Sequence, residues 1–382
     1  MEIKNEGIRE RINMAIYILN IIGISFLALL LYLMKQHNTH IGKKIFVLIT
    51  TTQLITILGL RAAGVGADTH NYLHFYNLVK ELDWQIILED RFEIGYKLIN
   101  KFFALLGFGD QLFLFGISAL IIIPVAIFIY KNSHNIYLSF YFYITFGFYA
   151  ASFNTLRQCI AYGFVLLSFN FIKEKKPIPF LITVFLASTF HISALFFLPA
   201  YFLARIKLTK VTISILGILT LILFTFRFQI MNLVVSSIFE NYSIVQTGAY
   251  EWLTFTLIIF IGAMLFYPTN KSETHNNCLQ DTTGALKSVN TEVTTIRMYY
   301  ILTLIGIIIM LFATTASNVM RIANYYYIFI ILLIPAVLTR TKNKYVKAII
   351  TIVLFIGMGI VYIYFLNTPS DHRYVPYEFF WH

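Results

Sequence analysis

Polar positions in this chain are confined to short interruptions between long apolar runs, and those runs set the reading of the fold. Crossing a bilayer as helix takes about 20 apolar residues. Runs that meet or approach that length lie at 12–34, 45–60, 111–130, 136–152, 156–172, 211–226, 251–267, 297–314, 321–338 and 345–365. The stretch 177–204 is too long for one simple span. Lys173, Lys175 and Lys176 precede it, Arg205, Lys207 and Lys210 follow it, and His191 stands near its middle. Positive flanks at both ends predict a helical hairpin whose tip, near His191, reaches the opposite face. Counting the hairpin twice, the expected fold is all-α, with about 12 transmembrane helices in a single membrane domain over residues 1–382.

Two segments read as extramembrane. Residues 61–110 form the largest loop on one side and carry seven acids against five basic residues. Within that loop Phe92, Tyr96, Ile99, Phe103 and Leu106 recur at helical spacing, with Glu93, Lys97 and Lys101 off the stripe, which predicts an amphipathic helix in the membrane interface. The other segment, 268–296, is rich in Ser, Thr and Asn and is expected to be a flexible cytoplasmic linker.

Composition narrows the class. At 58% hydrophobic, 17% aromatic and 12% charged residues, with a mean hydropathy of +0.74, an ordinary soluble domain is excluded. A net charge of +11 would suit a nucleic-acid partner, but the basic residues form no contiguous patch. Positive-inside topology explains them better. Placing 35–44, 131–135, 173–176, 205–210, 268–297 and 340–347 in the cytoplasm collects most of the lysines. The opposite side then receives both termini and Arg9, Arg11, Arg61, Arg91, Arg157, Arg227, Arg321 and Arg373. Cys159 lies in an apolar run and Cys278 in a polar loop, so no disulfide is expected. The first apolar run lacks a small-residue cleavage site and reads as a retained helix.

The candidate chemistry sits on the side rich in arginine. Asn154 precedes Arg157 and Gln158 at the start of one run, and Asn318 precedes Arg321 at the start of another. With each Asn as N-cap, two helix N-termini would present free N–H groups and a guanidinium together, a setting for an anion. An arginine that snorkels to lipid headgroups is the plainer reading, but the helix dipole disfavours a cation at an N-terminus. Asp68, after Gly64 and Gly66 and before Tyr72, suits a helix cap and equally a general base. Glu93 has similar standing. His191 stands among apolar neighbours, where a hydrogen-bonded core histidine and a functional one are both reasonable, since an ionisable group at membrane depth costs roughly 2 kcal/mol or more. Glu81 and Asp83 imperfectly match an Asp-x-Asp metal signature and read as solvated acids, so no metal is expected. No P-loop, dinucleotide-binding glycine pattern or nucleophile elbow is present, so no cofactor is expected and the energy for a reaction must lie in the substrate.

Taken together the chain resembles the EpsG-like branch of the Wzy polymerases of O-antigen and exopolysaccharide. The matching residues are Val65-Gly66-Ala67-Asp68-Thr69 with Tyr72, Glu93-Ile94-Gly95-Tyr96, Arg157-Gln158 with Ile160-Ala161, Phe190-His191 with Ser193-Ala194, Arg321, and Pro376-Tyr377 with Phe379-Phe380. They follow the family's order over nearly the whole chain. The resemblance implies a GT-C-like fold in the bacterial inner membrane, with an active site facing the periplasm. It also implies metal-independent glycosyl transfer between undecaprenyl-pyrophosphate-linked oligosaccharides, with membrane lipid and a chain-length regulator as further partners. On that implication Asp68, Glu93 or His191 is the base. Arg157 and Arg321, with Arg61 and Arg373, would hold the departing pyrophosphate, and Tyr72, Asn154, Gln158 and Asn318 would complete the site. A flippase or exporter of the same lipid-linked sugar, an O-antigen ligase and a membrane acyltransferase remain as alternatives.

Overall fold

The computed structural model describes residues 2–230, 232, 250–267, 283–314, 318–368 and 375–381, with side chains of 2–13, 210 and 283–290 outside the description. Among the described residues every regular element is helical. Six helices among the described residues are long and apolar enough to cross a membrane: Met14–Leu33, His40–Gly59, Asp110–Asn132, Thr291–Ala313, Asn318–Arg340 and Lys344–Asn367. The chain is therefore a polytopic membrane protein of the all-α class. The remaining expected spans are shorter or interrupted. The run 136–152 breaks into Ile136–Thr145 and Phe148–Ala151, because Gly147 takes a left-handed φ of 80° between them.

The chain divides into two compact units. The first holds residues 1–170, 178–195 and 345–382. It contains α1 (Glu2–Leu33), α2 (His40–Gly59), α3 (Thr69–Glu81), α4 (Trp84–Glu89), α5 (Ile94–Leu105), α6 (Asp110–Asn132), α7 (Ile136–Thr145) and α8 (Phe148–Ala151). Most of α9 (Leu156–Lys173), together with α10 (Pro177–Ser188), also belongs to it. The second unit, 171–177 and 196–344, contains α11 (Ala200–Leu203), α12 (Lys210–Thr225), α13 (Tyr250–Met264), α14 (Thr283–Ala313), α15 (Asn318–Tyr327) and α16 (Ile330–Arg340). The last helix, α17 (Lys344–Asn367), leads back into the first unit.

Local chemistry fixes several of these starts. Thr39 accepts the Gly42 amide at 2.9 Å to open α2, Asn135 accepts Leu138 at 3.2 Å to open α7, and Thr209 accepts Thr212 at 3.1 Å to open α12. Inside the apolar layer Gln53 donates to the Asn20 side chain at 2.7 Å and joins α2 to α1, the kind of polar pair that holds helices together in lipid. In the second unit Tyr300 donates to the Ala263 carbonyl at 2.6 Å and Tyr327 pairs with Thr256 at 3.1 Å, so these tyrosines serve packing.

Three expectations are corrected. The hairpin tip near His191 exists as a turn, but α10 has 12 residues, about 18 Å of rise, too short to cross the hydrocarbon alone. The linker expected over 268–296 is helical from Thr283 onward, while 268–282 lie outside the described residues. Val293, Ile296 and Tyr300 are buried at helical spacing, so a membrane helix simply continues past its apolar section. In α5 the predicted stripe is the inward one, where Tyr96 and Phe103 are buried, and Lys97 is buried with them. Its ammonium donates to the carbonyls of Leu88 and Asp90 at 2.8 and 2.6 Å, closing the end of α4.

The turn after α2 positions the site. Gly66 has φ of 93°, and a Cβ there would overlap the Phe153 carbonyl. We predict that Gly66→Ala lowers stability by about 1–3 kcal/mol, since strained backbone and a steric overlap are added together. A lowered melting temperature in detergent measures it; an unchanged one would refute the turn's role.

Candidate active site

Glu93, His191 and Arg157 come together in the first unit from three separate parts of the chain. Glu93 occupies the N-cap position of α5 but makes no cap hydrogen bond, which leaves both carboxylate oxygens for tertiary partners. Oε1 faces His191 Nδ1 at 3.0 Å and accepts the Ile192 amide at 3.3 Å. Oε2 pairs with Arg157, whose Nη1 donates to it. The start of α5 is fixed against the His191 turn by the Gly95 amide, which donates to the Thr189 carbonyl at 2.7 Å. A Cβ on residue 95 would collide with that same strand of backbone.

The electrostatics follow from this geometry. Burial by itself would raise the Glu93 pKa, but the His191 hydrogen bond and the Arg157 charge outweigh it and hold the carboxylate down to about 2. Glu93 is thus a fixed anion and not a proton acceptor near neutrality. A carboxylate only accepts hydrogen bonds, so a neutral His191 ring carries its proton on Nδ1 and leaves Nε2 as the basic nitrogen. This carboxylate–imidazole order is the one that orients a general base in acyl-transfer triads. Of the three carboxylate and imidazole candidates, His191 has the geometry of the base and Glu93 that of its orienting partner.

Arg157 stands in the first turn of α9 with its guanidinium 4.5 Å from the centroid of the Phe92 ring. Its Nε is buried without a partner among the described residues. Tyr72, on the buried face of α3, directs its hydroxyl to the same guanidinium; burial raises the pKa of that hydroxyl and Arg157 opposes the rise. The predicted cap is different from the one observed. Asn154 accepts the Ala67 amide at 2.7 Å and so ties the start of α9 to the turn before α3, instead of closing its own helix. Gln158, the next residue in the first turn of α9, is buried. Asp68 holds the N-cap position of α3 without a cap hydrogen bond, half-buried and beside Tyr72.

Arg61 is placed in the interior and not on an open face. Its side chain is 0% exposed, one of the largest fully buried in the molecule. It donates to the Leu58 carbonyl and to Thr69 Oγ1, and lies 5.5 Å from the Phe153 ring centroid. Burial pulls its guanidinium down to about 10, which still leaves it charged at neutral pH. Thr69 in turn reaches the carbonyls of Val65 and Phe153. The C-terminal segment closes this region: Ala62 donates to Glu378 and Phe380 to Leu60, and the Tyr377 hydroxyl donates to Ile57 at 2.7 Å. Asn318 and Arg321 open α15 in the second unit, both exposed, and Arg373 lies outside the described residues. Sequence reasoning missed Phe92 as the face beneath Arg157, although it adjoins Glu93, and missed the Ile192 amide, which carries no side-chain signal.

These features define a helical, polytopic membrane protein with a charged site where α5, α9 and the turn after α10 meet. The chain belongs to the EpsG family, whose model matches residues 44–379, so the expected EpsG-like kinship holds. Comparison with curated proteins and with solved structures returned no match.

A carboxylate with a depressed folded-state pKa adds stability above its ordinary value, and that stability is lost as pH falls through the folded value. For Glu93 the window runs from the ordinary 4.5 down to about 2. Glu93→Gln should therefore flatten the fall in melting temperature across that window relative to wild type. Parallel curves for the two proteins would show that the pair does not form.

Proposed function

We propose that this protein polymerises undecaprenyl-pyrophosphate-linked oligosaccharide repeat units by glycosyl transfer, as an O-antigen or exopolysaccharide polymerase working at the periplasmic face of a bacterial inner membrane. Membership of the EpsG family supports a polysaccharide-polymerase-like membrane protein. The observation that carries the reading further is the Glu93–His191–Arg157 cluster, which offers a base and a cation side by side.

In the proposed step a hydroxyl oxygen of the newly arrived unit attacks the anomeric carbon of the growing chain. The bond from that carbon to pyrophosphate breaks, and its electron pair departs on undecaprenyl pyrophosphate. His191 Nε2 takes the hydroxyl proton while Glu93 steadies the imidazolium that forms. Arg157 stabilises charge growing on the leaving pyrophosphate, since a guanidinium keeps its charge and binds phosphate oxygens in pairs. Arg321, with Asn318 at the head of its helix, and Arg373 stay in this reading as candidate pyrophosphate-binding residues. Tyr72 and Gln158, both buried near Arg157, take positioning roles at the sugar side, and Asp68 contacts a sugar hydroxyl. The interior placement of Arg61 and the tie made by Asn154 support positioning roles for both. The leaving group is already activated, so the step is written without a metal. The GT-C-like arrangement, about 12 spans and a chain-length regulator as partner belong to the same proposal.

Purified protein given lipid-pyrophosphate-linked repeat units should produce a ladder of chain lengths on a gel. Arg157→Ala should abolish the ladder, and Arg157→Lys should lose most of it because charge remains without the paired donors. His191→Gln should slow chain growth by about 10²- to 10⁴-fold, the usual contribution of a general base. Movement of the lipid-linked unit across vesicles with no ladder would replace this reading with a flippase.

A further inference from the structure

Helix α5 has a second apolar face that the protein leaves bare. Ile94, Leu98, Phe102 and Leu105 recur at one-turn spacing along it, and Leu98, Phe102 and Leu105 are 54%, 53% and 77% exposed. A water-facing helix between two spans would not present such a row, because a contiguous line of large apolar side chains is unfavourable in water.

The opposite face of α5 gives its depth. Phe103 lies directly against Gly116 of α6, and Tyr76 of α3 stacks on Phe113 of α6 with ring centroids 3.9 Å apart. Gly116 is six residues into α6, about 9 Å along the axis of that spanning helix. Interfacial helices bury their apolar face about 5–10 Å into the boundary of headgroups and acyl chains, so the depth of α5 matches. The His191 turn is sunk in the same way. Phe190 stacks on Phe164 at 5.4 Å, and Phe164 lies seven residues beyond Arg157, about 10 Å further along α9. Along α10 a row of Ile178, Ile182 and Phe185 is equally bare and runs toward that turn.

We infer that the bare face of α5 is inserted among the acyl chains of the leaflet nearest the 61–110 segment, which places the Glu93–His191–Arg157 cluster at headgroup level beside open lipid. The occupant of the face is bilayer lipid, for α5 packs its other face on the spanning helix α6, whose own start carries the exposed Leu112. One consequence rests on the proposed polymerase reading: a lipid-linked pyrophosphate would reach Arg157 sideways, with its tail still in the bilayer. The insertion itself does not depend on that reading.

The full-length protein in phosphatidylcholine nanodiscs tests it, with an environment-sensitive fluorophore on Leu98→Cys or Phe102→Cys in a Cys278→Ser background. Glu81→Cys, exposed at the end of α3, serves as the water-facing comparison. We expect labels at 98 and 102 to be quenched several-fold more by doxyl-lipid than by iodide, and the label at 81 to show the reverse order. Iodide quenching at 98 and 102 equal to that at 81 would overturn the inference, since the face would then lie in water. Protection from both quenchers would overturn it as well, since another protein surface or a second copy would then cover the row. Because quenching reads position and not turnover, either negative result leaves the polymerase reading to the ladder assay alone.

Discussion

A carboxylate at the edge of a bilayer stays charged only if donors and a cation replace the water it has lost, and Glu93 meets that condition with three partners at once. One oxygen receives the His191 ring and the Ile192 amide, the other receives Arg157. The same anion therefore sets the tautomer of an imidazole, restrains a guanidinium and joins the start of α5 to the start of α9 and the turn after α10. Removing it would leave two cation-capable groups in a setting that holds them poorly, so the rest of the site depends on it.

The surrounding frame is stiff for reasons that lie further from the chemistry. Arg61 is buried among aromatic rings and ties the end of α2 to Thr69, while Asn154 ties the next turn to the start of α9. The C-terminal segment pairs with residues 60–62 over the same region, and Tyr377 reaches back into α2. Each contact links segments distant in sequence, so the position of Arg157 relative to Glu93 is set by several independent restraints. The proposed base and its orienting carboxylate would need such restraint, because small displacements cost catalytic rate.

Much of this was legible in the sequence, and the exceptions have physical causes. Long apolar runs gave the six strongest spans, since hydrophobic length is a signal every residue contributes to. Glu93, His191 and Arg157 stood out one by one as charged or ionisable residues in apolar surroundings, but their meeting was not visible, because it depends on tertiary contacts across 98 and 64 positions of chain. In α5 the apolar stripe with Tyr96 and Phe103 is the packed face, and the bare face is the one with Leu98, Phe102 and Leu105. A helix apolar on two sides has no unique inward direction in its own sequence, and the partners of Tyr96 on α3 and of Phe103 at Gly116 decide it. Asn154 looked like a cap because Asn at that spacing usually is one, yet the Ala67 amide competed for its oxygen and won. The helical start at Thr283 was hidden by polar composition, although Val293 and Ile296 continue the buried face of the span.

Base action by His191 requires the ring proton on Nδ1 and the lone pair on Nε2. Nitrogen-15 NMR of ring-labelled histidine in the full-length protein, with His191 assigned by its loss in His191→Gln, reads this directly. At a pH where the ring is neutral, Nδ1 should show a pyrrole-type shift and Nε2 a pyridine-type shift, with that order weakened in Glu93→Gln. The reverse tautomer, or a shift pattern that Glu93→Gln leaves untouched, would contradict it.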